Sequence, residues 1–347
     1  MPYIDKNGKP VLWEETDYFN QYRKALIYYP VKAKRISGVP DCDFTYEILV
    51  SPTPTPTQTG TPTQTPTSSV TPTQTPTQTG TPTPTPTPSA PSIDPDAAAY
   101  LADVVASGGT TNPTIEAAVD TLFTELKNNG LYSKIYAMYP YVGGTASSHS
   151  INALLNKTYD ITWIGGMTHG ISGSTGNGTN AYGDTGFNPY VEIGSTAGIP
   201  SHASIYVGTE TDGNYGDFGQ RDGSNTLIMA VSYGNSYYGW HYTAGGGGSP
   251  LGEFVYVNND AKGNYIQSRI AIDNAVAYKN GVLQNTRLYT ETNSAPNGNL
   301  RVFNDGLNYS NRRLQFTTIG DGLSAGEIVI LDNIINTFQT SLGRNIY

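Results

Sequence analysis

Apolar residues recur at helical spacing in two segments that follow residue 94. The first helix is predicted to begin at Pro95 and to end at the pair Gly108-Gly109. The second is predicted to have Thr114 as its N-terminal cap and Gly130 as its C-terminal stop. The buried stripe of this second helix is predicted to consist of Ile115, Val119, Leu122, Phe123 and Leu126.

A third helix is predicted close to the C-terminus. Ser324 and Glu327 have the spacing of a capping box, in which each side chain bonds the backbone N–H of the other residue. Gly343 then provides the stop. Between them lies an apolar stripe made of Ile328, Leu331, Ile334, Ile335 and Phe338.

Between the second and third helices the pattern changes to short β-rich runs. The turns that separate them are rich in Gly, Asn and Asp, and include Asp212-Gly213, Asp222-Gly223, Asn280-Gly281 and Asn297-Gly298. Many short strands at even spacing predict a mainly β fold, a sandwich or jelly roll, with the helices as caps or edge covers. The candidate strands are Lys134–Tyr139, Thr158–Ile164, Thr179–Thr185, His202–Thr209, Thr226–Ser232, Tyr237–Tyr242, Phe254–Asn258, Tyr265–Ile272, Ala275–Lys279 and Arg312–Ile319.

Residues 51–91 interrupt this pattern with a Thr/Pro-rich segment that has no charge and no aromatic residue. Val70 is its only large aliphatic residue, so the segment buries too little apolar surface to offset the entropy of ordering it. Alternating prolines favour extended polyproline geometry. We therefore expect an extended linker between a small N-terminal domain, residues 1–50, and a sandwich domain, residues 92–347.

The N-terminal domain is predicted to be β-rich. Its candidate strands are Val11–Trp13, Leu26–Tyr29 and Phe44–Val50, although Tyr22, Leu26 and Tyr29 also fit one face of a helix. Fifty residues are marginal for an independent hydrophobic core, so we expect this domain to be stabilised by packing against a partner protein or against copies of itself. Its position before the linker makes it the predicted anchor.

Charge is distributed unevenly along the chain. Residues 1–50 carry seven basic and seven acidic side chains and the linker carries none, so the net charge of -9 falls on the sandwich domain. This argues against nucleic acid as a partner and against attraction to an anionic membrane. No run of residues approaches the length and apolarity of a membrane span, so membrane insertion is not expected.

Cysteine usage and the N-terminus point to assembly inside a cell. Cys42 is the single cysteine, so no intrachain disulfide forms, and no signal-peptide pattern follows Met1. A Thr/Pro-rich linker next to a Gly- and Tyr-rich β domain is nevertheless typical of extracellular proteins. A protein assembled in the cytoplasm and exposed on a virion released by lysis reconciles the two, and a leader removed before position 1 is the alternative.

Catalytic signatures are weak, so no enzyme activity is expected. The candidate strands carry almost no acidic pairs of the kind glycosidases need, and there is no G-x-S-x-G elbow and no metal-binding spacing among the histidines. Asp212, Asp217 and Asp222 are predicted to form turns, with loose Ca²⁺ ligation as the alternative and no cofactor otherwise. Asp321, just before the third helix, is likewise predicted to be a turn residue.

One segment is a candidate for binding, because five aromatic-ring residues crowd into six positions. On a strand, Tyr238, Trp240 and Tyr242 would share one face, and flat aromatic faces stack on sugar rings. The alternative is that alternating aromatics pack the core of a sandwich. The candidate carbohydrate-binding residues are Tyr237, Tyr238, Trp240, His241 and Tyr242.

The sandwich domain resembles a domain of structural proteins in tailed phages. The resemblance rests on residues 94–155 (from DPDAAAYLADVVASGG to SINALL), 176–189 (GNGTNAYGDTGFNP) and 316–344 (FTTIGDGLSAGEIVILDNIINTFQTSLGR). Residues 271–284, AIDNAVAYKNGVLQ, resemble the strand–turn–strand of concanavalin A-like and laminin G-like sandwiches. This resemblance implies a concanavalin-like jelly roll on a tail fibre, baseplate or head fibre, and implies no catalytic residues.

The combined expectation is an accessory protein of a phage virion. Residues 1–50 would bind capsid or tail proteins, and the sandwich would present a site for a host surface glycan. A homo-oligomer is expected, and a trimer would suit a fibre. Two alternatives stay open: a structural capsid or tail decoration without a ligand, and a polysaccharide depolymerase.

Overall fold

The computed structural model describes residues 3–4, 10–11, 93–154, 158–209, 213, 215–223, 225–242, 253–288 and 290–347, with the backbone alone at 3–4, 10–11 and 253. The chain divides into two units, Met1–Pro84 and Thr85–Tyr347. In the first, β1 (Tyr3–Ile4) pairs antiparallel with β2 (Pro10–Val11). The predicted strands Leu26–Tyr29 and Phe44–Val50, and the linker at 51–91, lie outside the described residues.

The second unit contains two antiparallel sheets, which confirms the predicted β-sandwich with flanking helices. The seven-stranded sheet has the order β12 (Glu253–Val257), β11 (Ser236–His241), β10 (Asn225–Ala230), β9 (Phe218–Asp222), β16 (Arg301–Val302), β7 (Tyr182–Asp184) and β4 (Thr162–Ile164). The eight-stranded sheet has the order β15 (Val282–Leu288), β14 (Asn274–Lys279), β13 (Gly263–Ala271), β8 (Ser201–Val207), β17 (Arg313–Gly320), β6 (Gly173–Thr175) and β5 (Thr168–Gly170), with β3 (Ile135–Tyr139) paired to β17.

Each of the ten strands predicted for this unit overlaps an observed strand. The tight turn predicted at Asn280-Gly281 joins β14 to β15, with φ values of 52° and 70° at its two residues. These left-handed values suit Asn and Gly and are typical of a two-residue hairpin. Among the described residues of this unit, five strands were not predicted, because they are very short or lack an apolar alternation: β5, β6, β9, β15 and β16.

The two sheets pack face to face through an apolar core. Ile205 and Val207 of β8 meet Leu227 and Met229 of β10 in this core, and all four side chains are fully or almost fully buried. Alternate residues of β8 point to the other side of its sheet, where Tyr206 is also fully buried. The eight-stranded sheet is therefore buried on both faces.

Helices cover that second face. The helices are α1 (Pro95–Ala106), α2 (Pro113–Asn128), α3 (Ala146–Ser150), α4 (Pro189–Glu192) and α5 (Ala325–Ser341), with a 3₁₀ turn at Tyr132–Lys134. Side chains of α1, α2 and α5 form one core with Tyr206, Ile266 and Phe316 of the sheet. The helices thus cover a face, rather than only capping ends or covering edges as predicted. None of the described helices is long and apolar enough to cross a membrane.

The caps follow the sequence with one correction. The capping box of Ser324 and Glu327 is present at the start of α5. At α2, however, the cap is Asn112 and not Thr114, because the Asn112 carboxamide accepts a hydrogen bond from the Ile115 N–H at 3.0 Å. Pro113 occupies the first helical position, where a missing N–H costs nothing.

Asp217 is not the turn residue that was predicted. Its side chain is fully buried and forms an ion pair of 2.6 Å with Arg312, while Ser310 Oγ and the Val231 N–H also donate to it. The Asp217 carbonyl oxygen accepts from the Phe303 N–H. Asp217 therefore holds both ends of the loop between β16 and β17 against the seven-stranded sheet. Asp222 does precede the predicted turn at Gly223, and Asp212 lies outside the described residues.

We expect Asp217→Asn to lower the free energy of unfolding by about 3–5 kcal/mol, because it leaves the buried Arg312 guanidinium without its counter-charge. Urea denaturation of the purified chain measures this loss. The matched control is Asp273→Asn, at an exposed turn residue, which should change stability by less than about 0.5 kcal/mol. Equal stability of the two variants would contradict the structural role of the pair.

Candidate functional site

The seven-stranded sheet has one face that none of the described helices covers. Its strands place Trp240, Ile228, Gly219, Arg301 and Asp184 on one line across the sheet, according to the pairing of neighbouring strands. Residues adjacent to them, such as Phe218 and Val302, point into the core between the sheets. The line therefore lies on the outward face, and the side chains around it form the candidate site.

Three aromatic side chains form one end of this site. Tyr238 stacks on Trp240 with their ring centroids 6.2 Å apart and an interplanar angle of 19°. Tyr233, which is 38% exposed, meets the Tyr238 ring edge-on at 5.7 Å. Ile228, which pairs with Trp240 and points outward, is fully buried, whereas Tyr238 and Trp240 are partly exposed.

Arginine side chains continue the site across the next strands. The Arg221 guanidinium lies 5.7 Å from the Trp240 ring centroid and donates to Asp305 at 2.7 Å. Arg301, on the neighbouring strand β16, donates to Asn304 at 3.2 Å. Both arginines are positioned by the loop that Asp217 anchors.

Two tyrosines form the other end. The Arg301 guanidinium lies 5.0 Å from the Tyr182 ring centroid, and Tyr309 lies 6.1 Å from the same ring. The whole row runs from β11 to β7 across the sheet. We call it the aromatic–arginine stripe, and it consists of Tyr233, Tyr238, Trp240, Arg221, Arg301, Tyr182 and Tyr309.

The structure separates the five aromatic residues selected from the sequence. Tyr238 and Trp240 lie on the outward face, whereas Tyr237 and His241 point into the core, where Tyr237 stacks on Tyr256 at 4.7 Å. The expectation that Tyr242 shares the face of Tyr238 and Trp240 is wrong. Strand β11 ends at His241, and Tyr242 adopts a left-handed φ of 67° that turns its side chain into the core, where it is 1% exposed.

The buried members of this segment are held by polar contacts. His241 Nε2 and Ser201 Oγ are 2.8 Å apart, and the Arg269 guanidinium donates to the His241 carbonyl oxygen. Burial, with the nearby Arg269 charge, lowers the pKa of His241 well below its usual value. Burial also raises the pKa of Tyr237 and of Tyr242. These side chains support the strand from within.

Carboxylates on the outward face act as acceptors for neighbouring groups. Asp305 accepts from Arg221 and from the backbone N–H groups of Leu307 and Asn308, at 2.7 to 2.9 Å. Asp184 accepts from the Gly186 N–H and from Asn299, both at 2.9 Å. Both oxygens of Asp305 are thus engaged, whereas the two bonds of Asp184 go to its Oδ1.

A second polar cluster lies beneath Trp163. The sequence treats His149 and His169 as unrelated, but α3 and β5 bring their Nδ1 atoms within 3.2 Å of each other, and within 2.8 and 3.1 Å of Ser174 Oγ. The Gly144 N–H donates to His149 Nε2, so the proton of neutral His149 lies on Nδ1. That proton points into the cluster and blocks His149 Nδ1 as a metal ligand, so the cluster is a hydrogen-bonded support of the sheet end.

Across the described ranges no group of three or more His, Cys, Asp or Glu side chains is placed to hold a metal ion. Asp321, predicted to be a turn residue, follows β17 directly. Its carboxylate accepts from the Tyr136 hydroxyl at 2.5 Å, and its carbonyl oxygen lies 2.6 Å from His202 Nδ1. It connects β3, β8 and the turn before α5.

Comparison with known proteins gives fold-level likenesses only. No family profile and no curated protein matches the sequence. Among solved structures, the binding domain of botulinum neurotoxin DC in complex with rat synaptotagmin II matches with a TM-score of 0.44 and 9% identity, over 59% of this chain and 52% of that chain. The receptor-binding domain of the botulinum neurotoxin C/D mosaic serotype matches with a TM-score of 0.42 and 10% identity, over 58% and 51%.

A third likeness is to domain 4 of an extracellular arabinanase from Geobacillus stearothermophilus in complex with arabinotriose, with a TM-score of 0.36 and 13% identity, over 57% of this chain and 98% of that chain. The chain matches about half the length of the two neurotoxin domains. At these scores the likenesses carry no inference about ligands, and the candidate site rests on its own geometry.

We expect the folded chain to lose stability as the pH falls from 7 to 5. Burial lowers the pKa of His202 to about 4 and that of His149 to about 3, whereas an unfolded histidine has a pKa near 6.5. The unfolded chain therefore binds more protons in this window, so stability is present above pH 6.5 and is lost as the pH falls. The loss is about 2 kcal/mol for His202 at pH 5.

Urea denaturation at pH 7 and pH 5 measures this dependence. His202→Asn should lower stability at both pH values but remove about 2 kcal/mol of the difference between them. Thr318→Ser, which alters the same pocket without titrating, should keep the full difference. A pH dependence unchanged in His202→Asn would show that His202 is not responsible.

Proposed function

We propose that this chain is an accessory protein of a phage virion whose sandwich domain binds a glycan on the host surface. The observation that carries the binding part is the aromatic–arginine stripe on the free face of the seven-stranded sheet. Aromatic faces supply large contact areas with little side-chain entropy to lose, and arginines supply several fixed donors. Sugars present apolar ring faces and hydroxyl acceptors, which match both.

Position on the molecule favours this role over simple core packing. Tyr237 and Tyr256 already supply the core beneath β11, while Tyr238 and Trp240 keep part of their surfaces in solvent. Smaller aliphatic side chains would be enough to shield an apolar residue such as Ile228 from water. The shielding of Ile228 therefore does not explain a row of partly exposed aromatic rings and guanidiniums, which favours a binding role.

The remaining parts of the proposal come from the sequence. A neutral N-terminal domain too small to stand alone suits attachment to a capsid or tail, and a Thr/Pro linker suits display at a distance. Attachment of many copies to one particle raises the effective concentration of weak single sites. We propose binding without cleavage, because the predicted strands carry almost no acidic pairs and both oxygens of the Asp305 carboxylate beside the arginines are engaged in hydrogen bonds.

Trp240→Ala is expected to weaken binding on a glycan array by about 30-fold, which corresponds to the roughly 2 kcal/mol typical of a central aromatic contact. Tyr190→Ala is the matched control, because Tyr190 is 37% exposed on α4 and lies outside the stripe. That variant should bind like the unmodified chain.

The array and an assay for polysaccharide cleavage also separate the two alternative functions, structural decoration and depolymerase. Absence of glycan binding by the unmodified chain would leave a structural decoration as the function. Release of new reducing ends from host polysaccharide would indicate a depolymerase.

Deletion of residues 1–50 is expected to remove the protein from assembled particles, because these residues are the proposed anchor. Immunoblotting of purified particles measures the retained amount, with the Trp240→Ala chain as a control that should stay attached. Retention of the deleted chain at the normal level would place the anchor elsewhere.

A further inference from the structure

We propose that the stripe binds a single extended glycan chain several sugars long, rather than one terminal sugar. This inference rests on the proposed function and concerns the same site. It follows from three features of the stripe: its length, its division into two aromatic ends with a polar centre, and the twist of the sheet beneath it.

The first feature is the length of the stripe. Tyr238 lies on β11 and Tyr182 on β7, four strands apart in the sheet. At about 4.8 Å per strand spacing, the two tyrosines are separated by roughly 19 Å. A single monosaccharide engages only one end at a time, whereas an extended oligosaccharide reaches both.

The second feature is the order of chemical groups along the stripe. Tyr238 and Trp240 provide ring faces at one end, and Tyr182 and Tyr309 provide them at the other. Between the two ends lie the guanidiniums of Arg221 and Arg301. A chain of linked sugars presents ring faces and hydroxyl groups at regular intervals, so its end residues meet rings while its middle residues meet donors.

The loop between the two ends supplies a wall for such a chain. Leu307 is 69% exposed at its tip, while Asp305 at its base is almost fully buried and holds Arg221. Backbone N–H groups of Leu307 and Asn308 are fixed on the Asp305 carboxylate. An exposed apolar tip on a tightly bonded loop gives a ligand chain a rigid contact beside the polar centre.

The third feature is the twist of the sheet. Neighbouring strands in β-sheets rotate by roughly 20° to 25° on average, so over four steps we expect the two ends of the stripe to differ in direction by about 80° to 100°. A flat crystalline polysaccharide surface meets only one end of such a face. A single soluble chain, which rotates about its glycosidic bonds, follows the whole stripe.

The test measures how affinity depends on ligand length. The full chain is titrated by calorimetry with hyaluronan, chitin, cellulose and maltose-type oligosaccharides of one, two, four, six and eight sugars. We expect at least a tenfold gain in affinity between two and six sugars in the series that binds. Trp240→Ala and Tyr182→Ala should each abolish this gain, because either change leaves one aromatic end.

Controls separate lost contacts from lost folding. Tyr182→Phe keeps the ring face and should retain the length dependence, and Tyr190→Ala should behave like the unmodified chain. Urea denaturation of each variant verifies that it is folded. Competition with intact crystalline chitin and cellulose should leave binding of the six-sugar ligands unchanged.

The outcomes distinguish this inference from the proposed function. Equal affinity for one and six sugars, or a length gain that survives in folded Tyr182→Ala, would overturn the extended-chain inference while glycan binding stands. Absence of binding in all four series and on the glycan array would overturn the proposed function, and the inference with it.

Discussion

Burial of the eight-stranded sheet on both faces is the constraint on which the rest of the molecule depends. One face packs against the second sheet, and the other packs against α1, α2 and α5, so its strands contribute side chains to two cores at once. Hydrophobic burial on this scale is the main source of stability in such a domain. It leaves the seven-stranded sheet with an outward side on which partly exposed aromatic residues pack against one another and against arginines.

The buried pair of Asp217 and Arg312 connects this framework to the candidate site. A charge inside a core is tolerated only with a partner and further hydrogen bonds, and Ser310 and the Val231 N–H supply them. Because Asp217 holds the loop that positions Arg221 and Arg301, the arrangement of donors on the surface depends on a contact in the interior. Asp217 therefore contributes both to the stability of the core and to the geometry of the candidate binding surface.

Much of the fold follows from local patterns in the sequence. The helices at Pro95, Pro113 and Ala325 and the ten predicted strands were accessible because caps, glycine stops and apolar spacing are local signals. The placement of helices over a sheet face could not be predicted in this way, because an apolar stripe shows that one side of a helix is buried but does not show which element buries it. Two-residue strands such as Arg301–Val302 carry no periodicity at all.

The candidate site could be predicted from the sequence only in part. Tyr238 and Trp240 were selected correctly as outward-facing residues, since alternation along a strand is a local property. Tyr242 failed because a single left-handed residue ends the alternation, and its aromatic side chain gave no sign of this conformation. Arg221, Arg301 and Tyr182 were missed because strand order, and not sequence distance, brings them beside Trp240.

The helix layer and the stripe lie on opposite outer sides of the same sandwich. Contacts made through one side therefore leave the other unobstructed. A neighbouring copy or a scaffold that packs on the helices does not compete sterically for the rings, so crowding of many copies on a small area is compatible with every copy keeping its recognition face accessible.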